Sequence, residues 1–378
     1  MRIEVRSLIA VLAVVLFFHF GPWKAAWAQG DWKKDWEGSV QAAKKEGQVN
    51  AYICGICYNY EAVLEAFSRK YPEIKTVWVS GAGNQMGSRI LAERRAGKYL
   101  ADVFLGGANT NFNMLYRGKA LDPLKPAFVL PEVADEAKWF EGRHRFTDPE
   151  GKYILGFIAS PGSVYYNSKL VDPKEFRSYQ DFLLPKWRGK IVSLAPTDFG
   201  VGALLQFLYY HPALGPEFIR KFFGGMEMTF SRDNRQMTDW LGSGKFAICV
   251  GCRGTDRARR QGLPVDSFND SGWKEGGYFT VGGGTLSLVN RAPHPHAAQV
   301  FANWFLSREG QMLAQKLLNP DSPPSSLRLD VSKNEIPEEN RLIVGGRYFD
   351  VTRPEYADMA PILKLVREVV EARGGSPK

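Results

Sequence analysis

Histidine and cysteine are both scarce in this chain, five and four in 378 residues. So few cysteines exclude a disulfide-built mini-scaffold. His19 lies in the N-terminal apolar run, and the other four stand apart, His144 and His211 singly and His294 and His296 in "APHPHA". None has an H-E-x-x-H or similar spacing, and no Ser/His/Asp set can be assembled, so hydrolase chemistry finds no support. Long apolar runs are lacking too. The longest, Leu8 to Phe20, falls short of the roughly 20 residues of a membrane-spanning helix. There is no tandem repeat and no low-complexity linker. "SGAGNQMGS" (80–88) has one residue too many before Gly87 for a dinucleotide fingerprint, and "GSGKF" (242–246) lacks the first glycine and the hydroxyl of a phosphate loop.

What is present is ordinary globular material, 44% hydrophobic and 24% charged, with length for two domains. The first 28 residues differ. Arg2 and Arg6 precede the apolar run, and "AAWAQG" offers Ala26 and Ala28 as a small-x-small site, so residues 1–28 read as a secretory signal cut after Ala28 and the mature protein as periplasmic. Removing it takes the formal charge from +9 to +7. The basic clusters "AERRAGK" (92–98) and "RGTDRARRQG" (253–262) fall on helix-like segments as solvated faces, and export excludes nucleic acid as a partner.

The strand "QVNAYI" is followed by Tyr60, Val63, Leu64 and Phe67 at helical spacing, then by the strand "KTVWVS", the glycine turn and helix "GAGNQMGSRILAERRAGK", and the strand "ADVFLGG". Strand, helix, strand, helix, strand predicts a parallel sheet with its ligand at the carboxyl ends, where Cys54, Gly81 and Gly106 lie. Gly83, Asn84 and Gln85 open the following helix as ligand contacts. The rhythm restarts with "YILGFIASPGSVYYN" and "GKIVSLAP" as strands, "GVGALLQFLYYH" and "GPEFIRKFFGG" as helices, and the helix "NRQMTDWLGSG" before the strand "KFAICV". A last amphipathic helix carries Ile362, Leu365, Val366, Val369 and Val370, and the end "RGGSPK" reads as disordered.

"LLPKWRGKI", "WLGSGKFAI", "APHPHAAQVFANWFLSREGQ" and "ADVFLGG" closely resemble segments of the family 1 extracellular solute-binding proteins of ABC importers, the group that includes ferric-iron-binding and thiamine-binding proteins. The likeness runs from about 30 to 330. It implies an α/β, two-lobed type 2 periplasmic-binding fold. Each lobe is then a mixed, mainly parallel sheet flanked by helices, with the ligand in the cleft between the lobes. Lobe 1 would comprise 29–135 plus 285–330, and lobe 2 136–284 plus 331–378. It further implies a monomer without catalytic groups or a required cofactor. Its cargo would be a small molecule, a metal ion or a metal complex, and its partners an ABC permease and ATPase.

In the iron-binding branch the metal is held by a histidine after the first strand, a carboxylate after the "ADVF" strand and two adjacent tyrosines in the second lobe. Here those positions fall at or beside Cys57, at Gly107, followed by Ala108 and Asn109, and near Cys252 and Arg253. Ferric iron is a hard cation that takes oxygen ligands, and the sequence departs from that set at each point. The anion-contacting frame does carry over. Asn234 matches an asparagine on the bound anion, or caps its helix. "PTDFGVG" (196–202), with Thr197, Asp198 and Gly200, matches a turn presenting backbone N–H groups at a helix start. Asp198 alternatively takes a ligand amine or a metal. Strand alternation in "VYYN" sends one of Tyr165 and Tyr166 to the core and one outward, and Tyr165 either reaches the cleft as a ligand contact or, the reading preferred here, packs in the core.

The cysteines form two C-x-x-C pairs, Cys54 with Cys57 and Cys249 with Cys252, each between a strand and a helix. On the implied fold all four sulfurs face one cleft, and helix N-termini favour thiolate at Cys57 and Cys252. Four uses remain open. They are two local disulfides, a soft-metal site with thiolates from both lobes, a polarisable or covalent contact to an organic ligand or a bridge across the lobes, and the chemistry of an exported thiol-disulfide oxidoreductase.

Overall fold

The computed structural model describes residues 31–197, 201–320 and 322–374. The expected signal segment, Asp198, Gly200 and most of the expected tail lie outside them.

Asp31 caps the helix Trp32–Glu46 by accepting the Lys34 amide at 3.4 Å, and Gly47 ends it at φ 73°. The chain then turns into the first sheet. β1 (Gln48–Cys54), β2 (Lys75–Gly81), β3 (Val103–Gly106), β4 (Leu121–Asp122), β5 (Arg145–Phe146) and β6 (Leu155–Gly156) belong to it. β7 (Ile158–Pro161) leaves that sheet. β8 (Val164–Asn167), β9 (Ile191–Leu194), β10 (Thr229–Ser231), β11 (Ile248–Val250) and β12 (Val265–Ser267) build the second. β13 (Gly277–Thr280) returns antiparallel to β7, and β14 (Thr285–Val289) re-enters the first sheet. β15 (Ser325–Ser326) and β16 (Tyr348–Asp350) flank β7 and β13 in a small third sheet.

The two large sheets repeat one order. β2, β1 and β3 run parallel and β14 joins β3 antiparallel; β10, β9 and β11 run parallel and β8 joins β11 antiparallel. This is the two-lobed type 2 periplasmic-binding architecture. Register fixes how the lobes face. Thr285, the first residue of β14, pairs with Gly106, the last of β3, and Val164, the first of β8, pairs with Val250, the last of β11. Each crossing strand therefore enters its sheet beside the carboxyl ends of the parallel strands. Those ends border the crossover in both lobes, which places the cleft between them.

The helix Tyr60–Lys70 buries Tyr60, Val63, Leu64 and Phe67 against the first sheet, as its spacing predicts. Lobe 2 is cored by aromatics, among them Phe176, Tyr179, Phe182, Phe207, Phe268 and Trp273. The expected boundary at 135/136 does not follow the packing. Trp139, Phe140, Leu155 and Phe157 join the core of lobe 1, and β5 and β6 extend its sheet. "YILGFIASPGSVYYN" is likewise three short strands, β6, β7 and β8, in three different sheets, broken at Phe157 and at Gly162.

Beneath the third sheet Asp270 is buried, with the Tyr179 hydroxyl donating to its carboxylate. Desolvation pushes its pKa up to about 7, from 3.8. The folded state therefore holds a proton that the unfolded chain releases. This contribution to stability is full below about pH 4 and is lost as pH rises through about 7. Asp270→Asn keeps an acceptor for Tyr179 without the charge. It is expected to stabilise the protein at pH 8 and to flatten its pH dependence between 4 and 7, by up to about 1.4 kcal/mol per pH unit. Denaturant midpoints of both proteins across that range check this; parallel curves would contradict it.

Candidate functional site at the interlobe cleft

Four backbone turns form the lobe 1 rim. After β1 the chain makes a tight turn in which the Cys57 amide donates to the Cys54 carbonyl at 2.9 Å, and a disulfide closes Cys54 to Cys57. Asn59 then caps the helix Tyr60–Lys70, accepting the Ala62 amide at 3.3 Å. A Cβ at Gly55 would lie 2.1 Å from the Ser80 hydroxyl, so a larger residue there would make Ser80 give up its bond to Glu61. The turn holds the Ile56 side chain out, 80% exposed. The second turn follows β2, where Gln85 Oε1 accepts the Ala82 amide at 3.2 Å and Asn84 and Gln85 are exposed at the start of the helix Gly83–Arg95.

Behind β3 comes the third turn, with Gly107 half-buried, Ala108 buried and Asn109 exposed. The fourth, Gly282–Gly284 between β13 and β14, binds the others together. The Ala108 amide donates to the Gly282 carbonyl at 3.2 Å, the Tyr60 hydroxyl donates to the Gly283 carbonyl, and a Cβ on Gly283 would be 2.6 Å from that of Cys57. Underneath, Asn111 Nδ2 donates to Thr285 Oγ1 at 2.7 Å, and that hydroxyl donates to the Gly106 carbonyl at 2.6 Å.

On lobe 2 the rim follows β9, β10 and β11. Thr197 lies just past β9, with its hydroxyl buried and without a partner among the described residues. The cap of the helix Asn234–Gly242 is Asp233, which accepts the Gln236 amide at 3.0 Å, rather than Asn234. Asn234 is the first helical residue, and its Oδ1 is buried without a partner among the described residues. Thr238 Oγ1 donates to the Arg253 carbonyl at 2.9 Å and so ties this helix to the turn after β11. Arg232, Arg235 and Arg253 are exposed along this edge.

The structure joins Cys249 to Cys252 in a second disulfide, and Gly251, at φ 77°, supplies the left-handed bend between them. The expectation that four sulfurs face one cleft is corrected: Cys249 and Cys252 belong to the buried core of lobe 2, and Cys54 is 2% exposed. A disulfide sulfur is not a thiolate ligand, so the four do not compose a metal site in this state. No group of three or more His, Cys, Asp or Glu is placed to hold a metal among the described residues. Tyr166 is in the core, and burial raises the pKa of the half-buried Tyr165, which packs against that core.

Replacing Cys54 and Cys57 together by Ser is expected to cost about 2 kcal/mol, because a bridge over so short a loop removes little chain entropy. The same change at Cys249 and Cys252 is expected to cost more, since it adds two hydroxyls to an apolar interior. Thermal melts of the two double variants check the order; equal losses would contradict it. Sequence reasoning passed over Ile56, Arg232, Arg235 and the turn 282–284 as site residues. The three consecutive glycines before β14 were the available signal for the last of these.

A family model described as bacterial extracellular solute-binding protein matches residues 58–312, more than half of the chain. Among solved structures, the Trichodesmium IdiA (FutA) structure in complex with iron and citrate superposes at a TM-score of 0.62 with 19% identity, covering 85% of this chain and 99% of the other. Iron-bound HitA from Pseudomonas aeruginosa gives 0.58 and 18%, with 85% and 99% covered. AfuA from Actinobacillus pleuropneumoniae, with fructose-6-phosphate bound, gives 0.55 and 17%, with 87% and 99% covered. At these identities the structural likeness carries the fold.

Proposed function

The chain belongs to the family of bacterial extracellular solute-binding proteins, and from that premise we propose that it captures a small organic anion in its interlobe cleft and passes it to a membrane permease driven by an ATPase. One observation carries this reading. Both crossing strands enter their sheets at the carboxyl ends of the parallel strands, so two sets of backbone turns face one cleft. A clamp of this kind needs no catalytic group. It binds because contacts on both lobes are satisfied together when it closes, and it works in the periplasm, as a monomer, with no resident cofactor.

In this reading the site comprises Cys57, Gly83, Asn84, Gln85, Gly107, Ala108 and Asn109 on lobe 1, and Thr197, Asp198, Gly200, Asn234 and Arg253 on lobe 2, with the Cys54–Cys57 bridge stiffening the first turn and the buried Cys249–Cys252 bridge set back in the lobe 2 core. Tyr165 stays outside it, because it packs against the lobe 2 core. The lobes are proposed to divide at the crossings near 162 and 282, with the chain from Val351 onward returning to lobe 2, since Val351 and the last helix pack in its core. Two solved neighbours are described with iron. A bare ferric ion would need several hard oxygen ligands, and the positions that resemble the iron ligands are occupied by a disulfide, a glycine and an arginine. The phosphosugar described in a third neighbour is closer to what this cleft suits.

The test is to incubate the purified protein with the low-molecular-weight fraction of spent growth medium, desalt it, and record small-angle scattering and the small molecules released on denaturation. A retained organic anion together with a smaller radius of gyration is expected. Nothing retained and an unchanged radius would overturn the proposal.

A further inference from the structure

The two rims differ in charge. The lobe 1 turns, 54–59, 81–85, 106–110 and 281–284, contain no charged residue. The nearest acid, Glu61, already accepts the Ser80 hydroxyl at 2.9 Å. Lobe 2 presents Arg232 and Arg235 after β10 and Arg253 after β11, all exposed and without a carboxylate partner among the described residues. Of the arginines further along the helix Thr255–Arg260, Arg259 pairs with Asp266 and Glu339 and Arg260 with Asp256, while Arg257 is exposed without a carboxylate partner among the described residues. Asp233, between Arg232 and Arg235, is occupied as a helix cap, and Asp239 lies further along the same helix. Arg232 and Arg235 flank Asn234 in the chain and Arg253 is tied to the same helix through Thr238; with Thr197 Oγ1 and Asn234 Oδ1 buried and without a partner among the described residues, they make a polar, cationic half-site.

On the lobe 1 rim stands Ile56, 80% exposed at the tip of a disulfide-closed turn. An apolar side chain held in water by a rigid turn gains by being covered. The carbonyls and amides of the three glycine-containing turns beside it are uncharged. A bare cation would meet no charged residue on the lobe 1 turns and three exposed arginines on lobe 2.

Building on the reading that the cleft captures a solute, we infer that its ligand is an organic anion charged at one end. An oxyanion head, phosphate or carboxylate, binds Arg232, Arg235 and Arg253, and an uncharged body lies on the Ile56 turn and the glycine turns of lobe 1. Lobe 2 then sets the charge of the ligand, and lobe 1 its size and polarity.

The experiment is a thermal-shift and calorimetric series on the mature protein. Its probes are organic monophosphates and monocarboxylates with sugar, aliphatic and aromatic bodies, glucose 6-phosphate and benzoate among them. Comparison probes are neutral glucose, inorganic phosphate and acetate as heads alone, and ferric, zinc and manganese chlorides. At least one headed compound is expected to raise the melting temperature and to bind at least about tenfold more tightly than its head alone, with affinity falling as salt rises. For that compound, Arg235→Gln with Arg253→Gln is expected to weaken binding at least about tenfold, with partial rescue by Lys at both positions. Ile56→Ser is expected to weaken it about tenfold while leaving binding of the head alone unchanged.

Binding by a neutral solute or a metal chloride, with closure of the lobes, would overturn this inference and leave solute capture standing. Unchanged affinity in the Arg or Ile56 variants would overturn the corresponding half. No binding by any probe would overturn the assignment of ligand class, and if the protein also retained nothing from spent medium, the reading of the cleft would fall with it.

Discussion

Arg328→Ala is expected to lower the unfolding free energy by about 3–5 kcal/mol. The guanidinium is fully buried, and each of its nitrogens is used. Nη1 donates to the Glu132 and Leu306 carbonyls at 3.0 and 2.9 Å, Nε to Asp330 Oδ1 at 2.8 Å, and Nη2 to Asp330 Oδ2 at 2.7 Å and Glu132 Oε2 at 3.2 Å. One side chain thus fastens three stretches of lobe 1: the turn at 131–134, the end of the helix Pro295–Leu306 and the segment after β15. Truncation leaves two carbonyls without donors and opens a void beside Trp139, over whose ring the guanidinium lies at 5.7 Å. Lysine carries the charge but not the planar fork, so Arg328→Lys is expected to recover less than half of the loss. Urea unfolding of both variants decides the matter. A loss under about 1 kcal/mol in Arg328→Ala would show that the pin holds little.

Gly162→Ala is expected to cost about 3 kcal/mol and to impair lobe closure. Gly162 lies between β7 and β8, on one crossing, and its amide donates to the carbonyl of Tyr278 on the other at 2.9 Å. An added Cβ would sit 1.8 Å from Tyr278 Cζ, inside the ring's own radius. The ring has little freedom to move, since it is buried and stacks on Phe207 at 5.0 Å. Either the ring leaves its place in the lobe 2 core or the two crossing strands separate. Gly38→Ala is the matched control. Gly38 lies inside the helix Trp32–Glu46 with nothing within 4 Å of an added Cβ, so there the change is expected to stabilise by about 0.5–1 kcal/mol. Thermal melts of the pair check both signs, and equal effects would refute the account of the crossing.

The parallel half of lobe 1 was legible because each strand is apolar and each connecting helix keeps its spacing; Tyr60, Val63, Leu64 and Phe67 show it. The crossings were not. Strands as short as β5 and β6 hold two residues each, too few for a periodicity to register, and their membership of lobe 1 comes from pairing with one another and with β14, about 130 residues later in the chain. The stretch from Tyr153 to Asn167 reads as one strand but hides two changes of sheet, the second marked by Pro161 and Gly162. At the site, spacing brought the cysteines into view as two pairs but left their bonding open, because C-x-x-C serves disulfides, metals and redox centres alike. Asp233 and Asn234 are both cap formers, and only the backbone tells which one caps. The charge contrast between the rims needed the fold, since the lobe 1 turns come from four places along the chain, spread from 54 to 284.

The most direct measurement is native mass spectrometry of the protein purified from periplasm, repeated after denaturation and thiol alkylation. The account predicts a small organic anion released on denaturation and a chain about 4 Da lighter than its four-thiol form, with no alkylation. Four alkylated thiols and the loss of a metal-sized mass would contradict it, and would make the paired cysteines themselves the site.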